Sequence, residues 1–515
     1  MSKVMSVSEA LGLIHDGDAI AMSSAGGCGW AEYVVRKLEE RFLAENHPRG
    51  LTLYAGCGQD DDRFAHPGFA TRFIASHPKT APAMLDLAIK GELEAYALPQ
   101  GILQQLYRCS AAKQPGLLSK IGIGTYIDPR QSGGKLCSAC KDDIVSLMEI
   151  DGQEWLFYRS QPVTIGIVRG TTADKNGNIT VEKEALRLEI LEIALAVKAS
   201  KGKMIVQVER IAANNSLRPS DVVIPGELVD AVVVCEEPEK YHRMTMFDYY
   251  LPYYSGELRG PEIPATTASN KLEGDDLVCR RAVYELFPGA VINVGIGIGV
   301  KIGDVAEVEG VVDKLTFTVE LGVFGGTPGG FGVFPATRNP TSFVAHPHMF
   351  DFYHAGGLDI AFLGAAQIDR QGNVNASRFN NVSAGQGGFI DISSTSKKVV
   401  FITYFKAKGL KAVSEGCQLK ILEEGKIPKL VNKVDEITFS GQTALAGGQE
   451  VLFCTERAVF QLTKGGLLLT EIAPGVDLEK DILAQMEFVP LISEHLKNMD
   501  ARIFTPGRMG CFDGP

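Results

Sequence analysis

The sequence predicts an α/β fold made of two related open α/β domains, each with a largely parallel sheet. Short β-branched segments at 204–208, 231–234 and 399–402 alternate with stretches of helical spacing such as 186–199. Strands that are joined through helices run parallel, because each connection crosses over the sheet. Internal repeats give the second observation, since two segments of the first half recur in the same order later in the chain.

The first repeat is a glycine turn, a short apolar strand and a glycine loop that opens a helix. Residues 14–29 follow this plan and end in the loop 26–29, and residues 286–299 follow it again. The second repeat is a buried strand followed by a turn with an acidic residue and Gly-Asn, at 163–180 and 359–375. Glycine and asparagine adopt left-handed conformations cheaply, which suits such turns. Two repeats in one order predict two homologous halves, the first carrying an insertion.

The segment between the repeats has the composition of a linker. Residues 255–269 are rich in proline, glycine, serine and threonine, which is typical of irregular connections. We therefore expect an N-terminal half at 1–255, a linker at 256–272 and a C-terminal half at 273–515. The chain of 515 residues is long enough for domains of this size, at roughly 150 residues each.

The charge excludes some partners. The chain has 51 Lys and Arg against 62 Asp and Glu, a net charge of -11. It therefore lacks the broad positive field that holds nucleic acid or an anionic membrane, and an anionic ligand must meet a local site. The apolar stretch 290–300 is too short to span a bilayer, and the N-terminus has no apolar secretory core. We expect a cytoplasmic protein whose cysteines are free thiols.

Two short motifs leave alternatives open. Cys137 and Cys140 form a C-x-x-C, which is half of a zinc site, a redox pair, or simply two free thiols. The last interpretation is favoured, because no second motif at zinc spacing and no thioredoxin-like context accompanies it. His346 and His348 bracket a proline in a predicted loop, and a metal site there needs a third ligand that the sequence does not show.

Glu320 is the candidate catalytic residue. Residues 315–320 alternate apolar and polar side chains, as in a strand with one buried face, and a glycine-rich loop follows at 322–330. The carboxyl ends of strands are where open α/β sheets place their ligands. Periodicity alone allows three roles for Glu320: a solvated surface charge, a general base or a nucleophile.

Other glycine clusters are weaker signals. Residues 295–299 resemble part of a dinucleotide fingerprint, but its third glycine is missing, and the chain has no phosphate-binding P-loop motif. The paired glycines of 385–388 precede an apolar segment. They either form a tight turn or direct backbone N–H groups at a developing oxyanion.

Several segments match the motifs of one family in order. Residues 16–28 resemble its first signature, with Cys28 where phenylalanine is usual, and residues 91–103 are similar to its Gly-Glu-Leu, Pro-Gln-Gly segment. Glu320 falls where the family has the glutamate of a Ser-Glu-Asn-Gly signature. On these residues, and on matches that continue to 456–460, the chain resembles the family I coenzyme A-transferases. The changed flanks of Glu320 resemble the propionate and acetate branch more than the succinyl-CoA:3-ketoacid branch.

The resemblance implies roles for individual residues. Glu320 is implied to be the nucleophile, which makes the C-terminal half the catalytic one. Gln100 is implied to help form the oxyanion hole through its side-chain amide, and the backbone N–H of Gly387 or Gly388 is our second donor. The active site is then expected where the two halves meet. The residues expected to bind CoA or substrate are Gly26, Gly27, Gly325, Gly326, Gln367 and Asn373.

The resemblance also implies an activity. A family I enzyme transfers CoA from a short-chain acyl-CoA to a carboxylate such as acetate or propionate, through a covalent glutamyl-CoA thioester and by ping-pong catalysis. No permanently bound cofactor or metal is expected, because coenzyme A and acyl-CoA are substrates. The resemblance further implies a homo-oligomer, a tetramer or a dimer. The alternatives are an acyl-CoA hydrolase on the same scaffold and a non-catalytic CoA-binding sensor.

Overall fold

The computed structural model describes residues 2–57, 61–260, 272–330, 332–379, 382–383 and 385–513. The chain forms two compact units, neither of which is continuous in sequence. The first comprises Met1–Gly260, Val319–Asp351 and Val382–Asp391, and the second comprises Pro261–Thr318, Phe352–Asn381 and Ile392–Pro515. Two segments of the predicted C-terminal half thus belong to the first unit. Most of the predicted linker 256–272 lies outside the described residues, so the boundaries of the sequence halves stay a prediction.

The first unit is built on a seven-stranded sheet. Its strands are β1 Ala19–Ala25, β2 Leu51–Cys57, β3 Ala70–Ala75, β4 Glu94–Ala97, β5 Ile165–Arg169, β6 Lys203–Val208 and β7 Ala231–Val234. They lie in the order β7-β6-β5-β1-β2-β3-β4, and every neighbouring pair is parallel. Every residue of β1 and β5 is buried, as in parallel strands that are covered on both faces.

The second unit carries a related sheet. Its strands are β8 Val291–Val294, β9 Thr316–Val319, β10 Ile360–Gly364, β11 Lys398–Ile402, β12 Glu450–Cys454, β13 Ala458–Thr463, β14 Gly466–Ile472 and β15 Leu491–Asn498. The run β12-β11-β10-β8-β9 is parallel and repeats the order β7-β6-β5-β1-β2. Beyond β12 the sheet continues with antiparallel β13 and β14. The predicted fold, two related α/β domains with largely parallel sheets, is confirmed.

The α-helices connect these strands. Within the described residues they are Val7–Leu11, Glu32–Glu45, Pro82–Ile89, Gln100–Ala111, Ile190–Ala199, Pro238–Tyr241, Pro252–Ser255, Gly274–Ala282, Lys301–Val308, His346–His354, Phe389–Thr395 and Gly441–Ala446. None of these helices is long and apolar enough to cross a membrane. A three-stranded antiparallel sheet of Gly116–Ser119, Val145–Ile150 and Gln153–Arg159 lies between β4 and β5 in the chain, where the first half has room for the predicted insertion.

The prediction of a loop at His346 is wrong, because a helix begins there and runs to His354. Pro347 is its second residue. A proline in the first helical turn costs nothing, since the N–H that it lacks has no acceptor within the helix.

The Gly-Asn turn occurs in both units with matching hydrogen bonds. In the first unit, Asn178 donates from Nδ2 to Asp174 Oδ2 (2.9 Å), and its own Oδ1 accepts the Gly226 N–H (3.0 Å). In the second unit, Asn373 donates from Nδ2 to Asp369 Oδ2 (3.0 Å), and its Oδ1 accepts a backbone N–H (3.0 Å) from Gly441. The repeat that the sequence predicts at 163–180 and 359–375 is therefore confirmed in detail.

A buried ion pair holds the loop after β1. Arg169, at the end of β5, contacts Glu184 at 2.5 Å, and their side chains are 2% and 5% exposed. The Arg169 guanidinium also donates to the carbonyl of Trp30 (3.2 Å) and to that of Arg243 (2.8 Å). Burial raises the pKa of Glu184, but the positive charge of Arg169 and the contact with His242 outweigh burial, and the pKa falls to about 2.

We expect Arg169→Met to lower the free energy of unfolding by about 3–5 kcal/mol, because it leaves Glu184 buried without its cation. The difference from wild type should shrink as the pH falls from about 4.5 towards about 2, since protonation removes the charge that Arg169 stabilises. Urea unfolding across this pH range measures both effects. Lys203→Gln, which breaks the exposed Lys203–Asp230 pair, is the control and should cost at most about 1 kcal/mol. Equal losses in the two variants would contradict the assignment.

Candidate active site

The carboxyl edge of the first sheet gathers residues from distant parts of the chain. Ser76 follows β3, and Gln100 begins a helix just after β4. The Ser76 carbonyl accepts the N–H groups of Gln386 (3.1 Å) and Gly387 (2.9 Å), while the Gly387 carbonyl accepts the Gln100 N–H (3.1 Å). Gln100 of the first sequence half and Gly387 of the second are thus in direct contact.

Gly385 shows why this segment needs glycine. Its φ is +76°, and a Cβ there would lie 2.4 Å from Pro78 Cδ. A side chain would therefore be strained and would also clash. The Tyr126 hydroxyl donates to the side-chain carbonyl of Gln386, which fixes the same segment from another direction. Residues 385–388 are held against the sheet edge by both backbone and side-chain bonds.

Buried polar atoms without a protein partner line this edge. Within the described residues they are Ser23 Oγ, Ser24 Oγ, His77 Nδ1, Gln104 Nε2 and Oε1, and Gln386 Nε2. Gln104 lies one helical turn after Gln100, and its Nε2 would be 3.6 Å from a Cβ placed at Gly56 of β2. A buried polar group left unsatisfied costs about 1–3 kcal/mol. These atoms are therefore candidates to bind the polar atoms of a ligand.

His77 is neutral at this edge. Burial lowers its pKa to about 4, and the positive charge of Lys79 adds to the shift. A Cβ built on Gly387 would lie 3.7 Å from Gln100 Oε1 and 3.9 Å from His77 Nδ1. The space beside Gly387 is therefore bordered by two neutral polar side chains, and glycine leaves it open.

Gln100 is the start of a line of buried side chains. Its Nε2 lies 3.1 Å from Nε2 of His346, and Nδ1 of His346 lies 2.8 Å from Glu189 Oε2. The three residues are 2%, 1% and 1% exposed, respectively. Sequence reasoning missed Glu189 altogether and treated His346 only as a candidate metal ligand. In the described residues, no group of three or more His, Cys, Asp or Glu side chains is arranged to hold a metal ion.

Glu320 is the first residue after β9 and is half-buried. Its neighbours Val319 and Leu321 are 2% exposed and belong to the same hydrophobic cluster as Ile102 and Leu103 of the Gln100 helix. Gly322 has a φ of +103°, and a Cβ there would lie 2.2 Å from the Val344 carbonyl oxygen. The backbone on both sides of Glu320 is thus fixed in the unit that contains Gln100 and Gly387.

The other predicted glycines pack against the chain itself. A Cβ at Gly26 would lie 2.7 Å from the Phe334 carbonyl oxygen, and one at Gly27 would lie 2.7 Å from Met246 Cγ. Likewise, a Cβ at Gly325 would lie 2.5 Å from Thr341 Oγ1, and one at Gly326 would lie 2.2 Å from the Arg338 carbonyl oxygen. All four have positive φ. Glycine is needed at these four positions because the backbone turns with a positive φ and the chain packs closely against it within the first unit.

Gln367 and Asn373 lie in the second unit. Gln367 donates to Asp435 (2.9 Å) and accepts from Asn375 (2.8 Å), and Asn373 belongs to the repeated turn. The first-unit counterpart of Asn373, Asn178, makes the same bonds. These contacts give both carboxamides a structural role, and their role in binding stays a prediction.

Comparison with known proteins decides the family. A family model described as Coenzyme A transferase matches residues 4–235. Caffeate CoA-transferase of Acetobacterium woodii is 41% identical over 518 residues, covering 98% of both chains. The chain belongs to the coenzyme A-transferase family. Acetate CoA-transferase YdiF of Escherichia coli O157:H7 is 40% identical over 514 residues, covering 98% of this chain and 96% of YdiF.

Solved structures of YdiF from Escherichia coli O157:H7 agree with this assignment. The apoenzyme matches with a TM-score of 0.92 and 39% identity, over 99% of this chain and 97% of that one. A YdiF structure described as a thioester complex with CoA matches with a TM-score of 0.91, the same identity and the same coverage. The coenzyme A-transferase therefore shares its fold with YdiF from end to end.

Proposed function

We propose that this coenzyme A-transferase moves CoA from a short-chain acyl-CoA to a carboxylate acceptor such as acetate or propionate, through a glutamyl-CoA thioester on Glu320. The observation that carries the proposal is the contact between Gln100 and Gly387, in the compact unit that also contains Glu320. The name of YdiF, an acetate CoA-transferase, supports acetate as an acceptor. The name of the caffeate relative shows that acyl groups differ within the family.

The reaction begins at the Glu320 carboxylate. One carboxylate oxygen attacks the thioester carbonyl, a C–O bond forms, the C–S bond breaks, and CoA leaves as a thiolate. The thiolate then attacks the glutamyl carbonyl of the resulting anhydride, which forms the glutamyl-CoA thioester and releases the first carboxylate. An acceptor carboxylate runs the same steps in reverse and leaves as the new acyl-CoA. The YdiF structure described as a thioester complex with CoA supports this covalent intermediate.

Each attack produces a tetrahedral oxyanion that needs hydrogen-bond donors. Gln100 supplies a side-chain N–H, in a position fixed by its backbone bond to Gly387 (3.1 Å). Of the two predicted backbone donors, Gly387 already donates its N–H to Ser76 (2.9 Å). The Gly388 N–H has no acceptor in the described part of the chain, so Gly388 is the donor that we retain. Donors that are fixed before the reaction stabilise the developing charge without a reorganisation cost.

The proposed chemistry requires no bound cofactor. A thioester and an anhydride are both activated acyl groups, so the protein has only to align the reactants, bind the oxyanions and keep water away. The strands Val323–Phe324 and Ser342–Phe343 pair antiparallel, and Gly325 and Gly326 between them pack closely against Thr341 and Arg338. The loop from Phe324 to Phe334 is our candidate for the wall of the acyl pocket, because its glycines and aromatic side chains suit a small uncharged acyl group.

We expect Glu320→Ala and Glu320→Gln to reduce CoA transfer by at least about 10⁴-fold, because the nucleophile is lost. Both variants should still bind CoA, as measured by calorimetry. Borohydride added during incubation with acyl-CoA should modify Glu320 in the wild type, and peptide mass spectrometry would locate the modification. Glu415→Gln, which alters an exposed glutamate of the second unit, serves as the control. Transfer at the wild-type rate by Glu320→Ala would remove Glu320 from the mechanism.

Propionyl-CoA with isotopically labelled acetate distinguishes the transferase from its alternatives. We expect the label to appear in acetyl-CoA at the rate at which propionate is released, without accumulation of free CoA, because the acceptor resolves the glutamyl thioester. Chromatography of the CoA species measures this directly. Steady release of CoA with no label in acetyl-CoA would identify a hydrolase. Binding of CoA without any turnover would identify a sensor.

A further inference from the structure

Two helices of the first unit are joined along their length. Besides the Gln100–His346 contact, Gln105 Nε2 donates to Asp351 Oδ1 at 2.9 Å. Arg108 donates to both oxygens of Asp351, at 2.8 and 2.6 Å. A bidentate pair of this kind fixes both distance and orientation. The His346 ring therefore faces Gln100 in a geometry that is set two helical turns away.

The segment behind His346 is shaped to hold it. The Leu188 carbonyl accepts the His346 backbone N–H (3.1 Å), and the next residue, Glu189, accepts from the ring. Leu188 has a φ of +49°, a left-handed conformation that costs a residue with a side chain about 1–2 kcal/mol. The chain tolerates this strain where it delivers a carbonyl and a carboxylate to a single histidine.

The three side chains determine which way the Gln100 carboxamide points. An ionised carboxylate only accepts hydrogen bonds, so Glu189 requires a proton on Nδ1 of His346. In the neutral imidazole the other nitrogen, Nε2, is then an acceptor. An acceptor can face the NH₂ end of Gln100 but not its carbonyl oxygen. Because all three residues are at most 2% exposed, water does not compete for these positions.

We infer that Glu189 and His346 are positioning residues that prevent the Gln100 carboxamide from flipping and so keep its NH₂ group on the side of the reacting carbonyl. The inference rests on the proposed oxyanion role of Gln100. One N–H of the amide is used to hold its orientation against Nε2 of His346. Neither Glu189 nor His346 needs to touch substrate for this role.

A double-mutant cycle in the full-length enzyme tests the inference. Gln100→Ala should lower the transfer rate on the order of 10²–10³-fold, as for loss of one oxyanion donor. His346→Leu should approach the same loss with an unchanged dissociation constant for CoA. His346→Gln should stay within about 10-fold of wild type, because an amide can also accept from Gln100 and donate to Glu189. The decisive variant is Gln100→Ala/His346→Leu, which should be no slower than Gln100→Ala alone.

Glu189→Gln, which keeps the shape of the side chain, repeats the cycle in case His346→Leu does not fold. It too should slow the wild type but have no effect in the Gln100→Ala background. Multiplicative losses in the double variants would overturn the positioning role while leaving the proposed function intact. A wild-type rate for Gln100→Ala would instead overturn the oxyanion role itself, and the inference with it.

The C-x-x-C motif carries a second, independent inference. Cys137 and Cys140 lie 3.6 Å apart between their sulfur atoms, and the Cys140 N–H contacts the Cys137 carbonyl at 3.4 Å in a tight turn. The turn is fastened beside β4, where the Ala95 carbonyl accepts from the Leu136 N–H (3.0 Å) and from the Cys140 thiol (2.9 Å). Both cysteines are partly exposed, whereas five others are buried: Cys28, Cys109, Cys235, Cys279 and Cys454.

We propose that Cys137 and Cys140 form a dithiol modification site for small disulfides of the glutathione type. The Cys137 thiolate attacks the small disulfide, whose S–S bond breaks as a mixed disulfide forms and one small thiol leaves. The Cys140 sulfur then attacks Cys137, an intramolecular disulfide forms, and the second small thiol leaves. The two electrons and two protons of the protein dithiol reduce the reagent. The 3.6 Å between the two sulfur atoms places Cys140 within reach of Cys137 for the second step.

Exposure of the native enzyme to oxidised glutathione tests this site. Alkylation and peptide mass spectrometry should show loss of both thiols in one peptide as a Cys137–Cys140 disulfide, which dithiothreitol reverses. Cys140→Ser should stop at a glutathione adduct on Cys137. Cys417→Ser, which removes an exposed cysteine of the second unit, should leave the disulfide unchanged. If Cys137 and Cys140 are still fully alkylated, and therefore still reduced, under conditions in which oxidised glutathione modifies Cys417, the proposal is overturned.

Discussion

The candidate site depends on one carbonyl oxygen, that of Ser76. It accepts the backbone N–H groups of Gln386 and Gly387, which are distant in sequence. Ser76 is itself fixed, because its hydroxyl and its N–H both contact the Gly56 carbonyl at the end of β2. Without this anchor, Gly387 would not meet Gln100, and the donors drawn from the two sequence halves would have no common position. The parallel sheet makes the arrangement possible, because it brings the ends of β2, β3 and β4 to one edge.

The same edge carries several neutral polar side chains, among them Gln100, Gln104 and Gln386. Its amides and hydroxyls carry dipoles, and His77 is kept neutral by burial. A permanent cation there would attract the Glu320 carboxylate and reduce its nucleophilicity. Fixed neutral donors interact weakly with a ground-state carbonyl and more strongly with the oxyanion that replaces it. The composition of the edge thus suits a reaction in which negative charge appears and disappears several times in one turnover.

Local patterns in the sequence predicted much of the fold. The strands, the glycine loops and the Gly-Asn turn were found because each is specified by residues that are close together in the chain. The position of Glu320 at the end of a strand was predictable because strand alternation and glycine turns are local patterns. The contact between Glu189 and His346 was not predictable, since it joins residues 157 positions apart.

The roles of individual site residues depend on information of longer range. Asn373 was assigned to binding because it matched a family motif, and the structure adds its bonds to Asp369 and Gly441. Gly387 was an equal candidate with Gly388 for the oxyanion hole, because a sequence does not show which N–H is already bonded. In both cases the missing information was the location of hydrogen-bond partners, which only the folded chain specifies.

The repeated turn gives this molecule an internal reference. Asp174 with Asn178, and Asp369 with Asn373, make matching bonds in two different surroundings. The residues between them differ, Lys175 and Asn176 in one copy and Arg370 and Gln371 in the other, so the turn is defined by the shared hydrogen bonds. Matched substitutions in the two copies would therefore compare one hydrogen-bond pattern in two surroundings within a single protein.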